Sequence, residues 1–384
     1  MEEQDENGAI QIFAPIAPTT ATKTGVAGWG DAMVIVPYKL YLNYGDKSIL
    51  EECYPAMKRW LTHEKHRAAT KNTITVKVKP RYWFDKKYRA YSHYLWNDGF
   101  HFGDWLIPSK TMKGGLGMMS SVFFGREQFA SGYYANSVAI MEKVAAIIDK
   151  ETDSKKYHEE LVKIKKAYAN NYISKDGTIK PEIQGVQAMS LAFGLVPKSK
   201  KPTVAEHLVQ LIHKNDDRLD TGFLSVDLIL DALWYNGKKD MAYKLLYQNK
   251  CPSWLYEIEN GATTLWEKWN TILPDGERQK ISYNHYAFGC VGKFLYRHVA
   301  GIQNAGVGYG EILIKPEPDE RLTYAKGVYE SIYGTISSEW KKENGKFTLT
   351  VSIPCNTKAT INLPNGELHK VGSGTYSFQC EAPA

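Results

Sequence analysis

Residues 284–316, NHYAFGCVGKFLYRHVAGIQNAGVGYGEILIKP, carry the change of pattern that decides the fold. Apolar positions recur at helical spacing through about 284–300 and stop at Gly301, a residue type that accepts the left-handed backbone with which helices end. From Tyr309 onward the chain alternates in short runs, EILIKP, YGTISSEW, KFTLTVSIP, KATINLP and GTYSFQC, with the hairpin-type pairs Asn344-Gly345 and Asn365-Gly366 between them. The chain is therefore read as a helical part, 1–301, followed by a small antiparallel β-sandwich, 302–384, in which no catalytic grouping occurs.

Working back from Gly301, helical periods succeed one another at about 238–250, 223–236, 203–215, 183–195, 155–172 and 117–149, with short connections such as Lys175-Asp176-Gly177 and Asn236-Gly237. Further upstream, 47–61 and the run from Ala32 to Gly45 add two more, for about nine or ten helices in hairpin succession. Short loops make sequential helices antiparallel neighbours, so this part is an α/α array. Residues 62–100 break the rhythm: TITVKV (73–78) alternates like a strand and RYWFDKKYRAYSHYLW comes after it, which predicts an excursion, such as a hairpin, at the mouth of a site.

Composition narrows the class. With 43% hydrophobic and 23% charged residues the chain is an ordinary globular protein, and its net charge of +6 comes from lysines scattered among acids, a pattern of solvated faces and not of a nucleic-acid surface. No run approaches a membrane span, and MEEQDENGAI is acidic where a signal peptide would be basic and then apolar. The five cysteines are widely spaced without a C-x-x-C, which predicts buried free thiols and neither a disulfide framework nor a zinc site. His63-Glu64-Lys65-His66 brings its second histidine one residue too early for the H-E-x-x-H zinc signature. No metal or other cofactor is predicted.

The 25 tyrosines and 10 tryptophans exceed what a core of this size needs, and they crowd in PSWLYEIENGATTLWEKW (252–269) and the NHY after it. Trp254, Trp266 and Trp269 stand there among Glu257, Glu259, Glu267 and His285. Aromatic faces stack on the C–H faces of sugars, and carboxylates and imidazole bind hydroxyls or move protons, so the mixture points to a carbohydrate site. A plainer reading has WEKW on a helix, both indoles turned inward and Glu267 and Lys268 in solvent. Two glycine-flanked Asp/Trp pairs, Gly28-Trp29-Gly30-Asp31 and Gly103-Asp104-Trp105, strengthen the site reading, although Asp31 is also a natural N-cap.

Taken in order, GWGDAMVIVPYKLYLNYGD (28–46), GFHFGDWL (99–106), TGFLSVDLILDAL (221–233), PSWLYEIENGATTLWEKW (252–269), NHYAFGCVGKFLYRHVAGI (284–302) and KVGSGTYSF (370–378) resemble the inverting α-L-rhamnosidases. That resemblance implies a mainly α fold, an (α/α)6 toroid followed by a C-terminal β-sandwich, and release of terminal α-L-rhamnose from a rhamnose-containing glycoside or polysaccharide. It implies Glu267 as the general base that activates water, with Glu257 and Glu259 as rivals ranked lower, as partners of lysine or backbone groups. A glutamate between two indoles would be locked in orientation, and partial desolvation would raise its pKa and basicity. Trp29, Asp31, Asp104, Trp105 and His285 match positions lining the rhamnose pocket, with Trp266 and Trp269 flanking the base.

One element of the family pattern is missing. The family's general acid sits in an Asp-Glu-Arg-x-Gly-Trp type motif upstream of GWGD, and none of Glu2, Glu3 and Glu6 has that context. A closed toroid also needs about twelve helices. The chain is thus expected to be the C-terminal part of a larger enzyme, incomplete at the N-terminus of the toroid. The alternative is a carbohydrate-binding, catalytically incomplete fragment, since a base without an acid leaves the glycosidic oxygen unprotonated. The Tyr/Trp-rich 62–100 segment is the candidate for setting aglycone preference.

Overall fold

The computed structural model describes residues 2–15, 25–71, 80–111, 120 and 122–382. The chain divides into two compact units, one formed by 1–36 and 51–289, the other by 37–50 and 290–384.

The first unit is built of helical hairpins. The helices are α1 (Ala32–Tyr44), α2 (Ser48–Ala69), α3 (Pro80–Phe84), α4 (Lys86–Ser92), α5 (Pro108–Thr111), α6 (Arg126–Ile147), α7 (Glu151–Tyr172), α8 (Gln184–Ala192), α9 (Lys201–Lys214), α10 (Val226–Trp234), α11 (Lys239–Leu246) and α12 (Trp254–Glu259). The first two cross into the other unit at residues 37–50. Burial distinguishes successive helices: α8 is buried for most of its length, whereas α7 buries only the stripe Leu161, Ile164, Ala167, Tyr168, Asn171 and Tyr172. A helix apolar on every side belongs in the interior, and one with a single stripe belongs outside it. Gly132 lets α6 lie close against α8, because a Cβ there would come within 2.2 Å of Met189 Sδ.

Several expected boundaries shift. The helix expected over 117–149 begins at Arg126, and the one expected to stop near 61 runs on to Ala69. The strand expected at 73–78 lies outside the described residues. The chain from 80 to 92 is helical and forms no hairpin: Pro80 opens α3, and Asp85 caps α4 by accepting the Tyr88 N–H at 2.8 Å. A fixed proline φ at a first turn and an Asp N-cap outweigh the β-preference of Tyr and Trp. The WEKW tetrad is not helical; α12 ends at Glu259 and 262–268 is irregular. Among the described residues no helix is long and apolar enough to cross a membrane.

The helix predicted over 284–300, whose first residues belong to the first unit and whose remainder from 290 belongs to the second, is broken into a 3₁₀ turn at Ala287–Cys290, α13 at Val291–Phe294 and a π turn at Leu295–Val299. Two four-stranded sheets come next, ordered β1-β2-β6-β7 and β3-β4-β5-β8, where β1 is Ile302–Asn304, β2 Glu311–Ile314, β3 Tyr324–Ser331, β4 Gly334–Glu343, β5 Lys346–Ile353, β6 Lys358–Asn362, β7 Leu368–Val371 and β8 Gly374–Glu381. All pairings are antiparallel except the parallel β2–β6 pair. Asn344 and Gly345 have φ of 51° and 75°, the pair of left-handed residues that a two-residue hairpin turn needs between β4 and β5. Alternation puts Ile336, Ser338 and Trp340 of β4 and Phe347, Leu349, Val351 and Ile353 of β5 inward. The cysteines are free as expected, but Cys355 is exposed, against the expectation of burial, because it sits in the turn after β5.

Trp340 is fully buried and donates its indole N–H to the Val299 carbonyl at 2.7 Å, so Trp340→Ala is expected to cost roughly 3–5 kcal/mol, read as a lower denaturant midpoint for the β unit.

Candidate active site

Every residue put forward for the site lies in the first unit. Asp104 organises it. The carboxylate has no exposure, and it accepts the N–H groups of Gly222 at 2.8 Å, Leu224 at 3.1 Å and Ser225 at 3.0 Å, together with the Ser225 hydroxyl at 2.5 Å. Burial pushes its pKa up to about 7, against the opposing pull of these bonds. The main chain reinforces the clamp, since Phe223 donates its N–H to the Trp105 carbonyl at 2.9 Å. Gly222 and Gly185 are required by closeness: a Cβ at 222 would lie 2.3 Å from the Trp105 carbonyl oxygen, and one at 185 the same distance from Asp104 Oδ2.

The clamp aims side chains. Trp29 and Trp105 flank Phe102, with ring centroids 4.7 and 5.2 Å from it, so the two glycine-flanked corners meet in one aromatic cluster. Both tryptophans keep a half-buried ring. His101 ties the corners from behind, accepting the Ala27 N–H on Nδ1 at 3.2 Å while its Nε2 lies 3.1 Å from the Asp98 carbonyl. Across the clamp, Phe223 lies 4.7 Å from the His285 ring. His285 Nδ1 accepts the Ala287 N–H at 3.2 Å, which assigns the ring proton to Nε2 as a donor. The His285 N–H is bound to the Leu265 carbonyl at 2.8 Å, and Glu267 pairs with Ser282 in both directions: its N–H reaches the Ser282 carbonyl at 3.1 Å, and its Oε2 takes the Ser282 N–H at 3.3 Å. Contacts thus run without a break from Trp29 through Trp105, Phe223 and His285 to the segment bearing Glu267.

Four expected contact residues are buried. Asp104 is spent on the clamp. Asp31 is likewise unexposed and holds the N-cap position of α1, its carbonyl accepting the Ile35 N–H at 2.9 Å, but its side chain turns elsewhere: Oδ2 accepts the Gly28 N–H at 2.7 Å and Oδ1 the Ser137 hydroxyl at 2.5 Å. Burial raises its pKa, and the adjacent Glu64, buried against it, is pushed well above the usual carboxylate range by desolvation and by Asp31. Trp266 and Trp269 are each only 2% exposed. Trp269 stacks on Phe288 with centroids 3.7 Å apart and meets the edge of Trp254 at 5.5 Å, so no indole face there is open to a sugar. The inward turn of both indoles matches the plainer reading of WEKW, but Glu267 remains half-buried on an irregular segment.

Among the rivals, Glu259 is exposed, and Glu257 is 2% exposed. Glu257 Oε2 accepts the Trp266 N–H at 3.4 Å while Oε1 has no partner, and burial pushes the pKa up to about 8. This carboxyl is therefore neutral at pH 7 and supports the backbone one residue ahead of Glu267. Sequence reasoning missed Phe102 and Phe223; each stands in a quoted motif, one residue from a glycine, and that adjacency was the available signal.

A helical-hairpin unit with a polar and aromatic centre at its loops, followed by a two-sheet β unit, defines the class of the six-hairpin glycosidases. The model for the bacterial α-L-rhamnosidase 6 hairpin glycosidase domain matches residues 1–299, and that for the bacterial α-L-rhamnosidase C-terminal domain matches 301–378. The chain belongs to the bacterial α-L-rhamnosidase family. An α-L-rhamnosidase of Streptomyces avermitilis is 34% identical over 368 residues, 94% of this chain and 32% of that protein, and one of Formosa agariphila is 32% identical over 98% of this chain and 38% of its own length. Among solved structures, the S. avermitilis α-L-rhamnosidase complexed with L-rhamnose superposes with a TM-score of 0.84 at 31% identity, covering 99% of this chain and 35% of that one. The Aspergillus terreus enzyme does so with a TM-score of 0.81 at 30% identity, over 93% and 39%. The chain thus spans about a third of the length of the curated relatives it matches.

Asp104→Ala is expected to strand three backbone N–H groups and lower stability by on the order of 3 kcal/mol or more, measured by denaturant unfolding, with Asp104→Asn losing less. Glu257 yields a pH dependence. Its folded pKa of about 8 lies above the ordinary 4.5, so the folded state holds the proton more tightly between those values. Its contribution is intact below about 4.5 and falls away as the pH rises toward 8. The slope of unfolding free energy against pH over that window should become shallower in Glu257→Gln, and an unchanged slope would show that Glu257 does not titrate there.

Proposed function

We propose that this chain carries the water-activating and rhamnose-binding side of an α-L-rhamnosidase centre, with Glu267 as general base. The observation that supports it best is the unbroken set of contacts joining Trp29 and Trp105 to His285 and to the Glu267 segment. It gathers two half-buried indoles, an imidazole N–H donor and one accessible carboxylate, and these are the side chains a deoxyhexose needs. Indole faces take its C–H and methyl surface, and Nε2–H of His285 donates to a ring hydroxyl.

In the proposed reaction, Ser282 holds one oxygen of Glu267, and the other takes a proton from water as that water attacks the anomeric carbon on the face opposite the leaving oxygen. The configuration inverts, and the departing oxygen takes a proton from a second carboxyl roughly 6.5–9.5 Å from the first. Asp31 and Asp104 are buried and hydrogen-bonded through both oxygens and Glu257 is buried, so that donor is none of them. The substrate class is a rhamnose-terminated glycoside or polysaccharide. In this reading residues 1–301 are the toroid part and 302–384 the β part, and the 62–100 segment, helical at 80–84 and 86–92, sets aglycone preference.

The test uses an aryl α-L-rhamnoside with NMR detection of the first anomer released. Glu267→Gln is expected to lower turnover by about three orders of magnitude while L-rhamnose still quenches tryptophan fluorescence, and Trp29→Ala to weaken that binding about tenfold or more. Near-normal turnover in Glu267→Gln, or retention of anomeric configuration in the product, would overturn the assignment.

A further inference from the structure

A cavity of about 550 Å³ lies behind the two glycine-flanked corners. Its walls include Gly25 and Val26, which lead into Gly28-Trp29, and Asp98 to His101, which lead into Phe102 and Trp105. It therefore shares its backbone with the proposed centre while being lined by a different set of side chains.

That lining holds two side-chain donors without a partner, Trp96 and Arg67. Trp96 is 1% exposed, lies with its ring edge-on to His101 at 4.6 Å, and has an indole N–H without any partner. An indole N–H can only donate, and a buried donor left unmatched is unfavourable. Arg67, half-buried on α2 with its guanidinium in the same cavity, forms no ion pair or hydrogen bond among the described residues. His63 and His66 stand one turn and one residue before it on the same helix. The single acid of the lining, Asp98, is turned onto the backbone, where Oδ1 accepts the Gly99 N–H at 2.7 Å. Gly99, with φ of +89°, brings the main chain up to Arg67; a Cβ there would lie 3.0 Å from Nη2. Gly25, with φ of +66°, does the same for His63, where a Cβ would lie 2.5 Å from Nε2.

We propose that this cavity is an accessory subsite for an oxyanion, a carboxylate or a sulfate ester, borne by the glycan whose rhamnose end enters the Trp29–Glu267 centre. The unpartnered guanidinium of Arg67 and the unpartnered indole N–H of Trp96, both lining residues, are donors with no acceptor of their own, which suits a group with several acceptor oxygens and no proton. A neutral polyol can accept these bonds but brings no charge to set against the guanidinium. The planar fork of Arg67 favours a two-oxygen contact. The glycan part of this assignment rests on the rhamnosidase reading, and the oxyanion part does not.

The 384-residue chain is titrated calorimetrically at low salt with D-glucuronate, D-glucose and sodium sulfate, and separately with L-rhamnose. D-Glucuronate is expected to bind at least tenfold more tightly than D-glucose, Arg67→Gln to abolish that preference, and Arg67→Lys to restore part of it. Sodium sulfate displacing D-glucuronate supports recognition of the oxyanion itself, whichever group bears it. Equal affinity for the two sugars, or an unchanged preference in Arg67→Gln, overturns the subsite. Sulfate binding with no glucuronate binding overturns the carboxylate and leaves the sulfate source. L-Rhamnose affinity in Arg67→Gln, expected to equal that of the unsubstituted chain, reports folding of the variant. Failure of the unsubstituted chain to bind L-rhamnose counts against the centre and leaves the oxyanion measurement standing.

Discussion

The first unit depends on one buried carboxylate. Asp104 gathers three main-chain N–H groups and a hydroxyl from residues 222–225, and among the described residues no cation compensates its burial. Such a group is tolerated in the interior only when its acceptor capacity is filled, and the same density of donors fixes the loop that supplies them. Gly222 and Gly185 have no side chains where the two backbones meet the carboxylate. The segment around it pays for this closeness with Leu106 at φ +63°, a left-handed conformation that a branched side chain adopts only when its surroundings impose it. Remove that carboxylate and Phe223 loses the anchor that sets it against His285.

The architecture was legible because it rests on local periodicity. Helical runs up to 246 and alternation beyond Tyr309 survive in the structure with most ends moved by a few residues and the start expected at 117 moved to Arg126, and Asn344-Gly345 forms the hairpin turn its type demands. The segment around 80–92 departs from expectation because Tyr and Trp favour strands in general, while Pro80 and Asp85 act at single positions and win locally. The break of 284–300 into three turn types follows from no propensity in the run. The parallel β2–β6 pair is likewise invisible to a pattern that reports only which face a residue occupies.

The site was legible as a set of loops and less so as a set of side chains. A glycine-flanked aspartate has the same signature whether it faces a ligand or grips a neighbouring loop, and only tertiary placement separates the two; Asp31 and Asp104 are buried with their carboxylates bound to neighbouring segments. Tryptophans near a carboxylate raise the same ambiguity. Trp29 and Trp105 remain half open, while Trp266 and Trp269 join Trp254 and Phe288 in the interior. Glu257 and Glu267, ten positions apart, diverge for a related reason: one projects from α12 into an apolar interior and keeps its proton, the other stands on an irregular segment with a backbone donor on one oxygen.

His101 bridges the two corners with one ring nitrogen accepting and the other donating, an arrangement that only the uncharged imidazole can make. Burial lowers its pKa to about 3. The bridge is consequently indifferent to acidification across the range in which exposed histidines become cations and release such contacts. A tie of this kind keeps the corners in register in a sour medium, where the carboxylates of an acidic glycan are themselves still partly ionised.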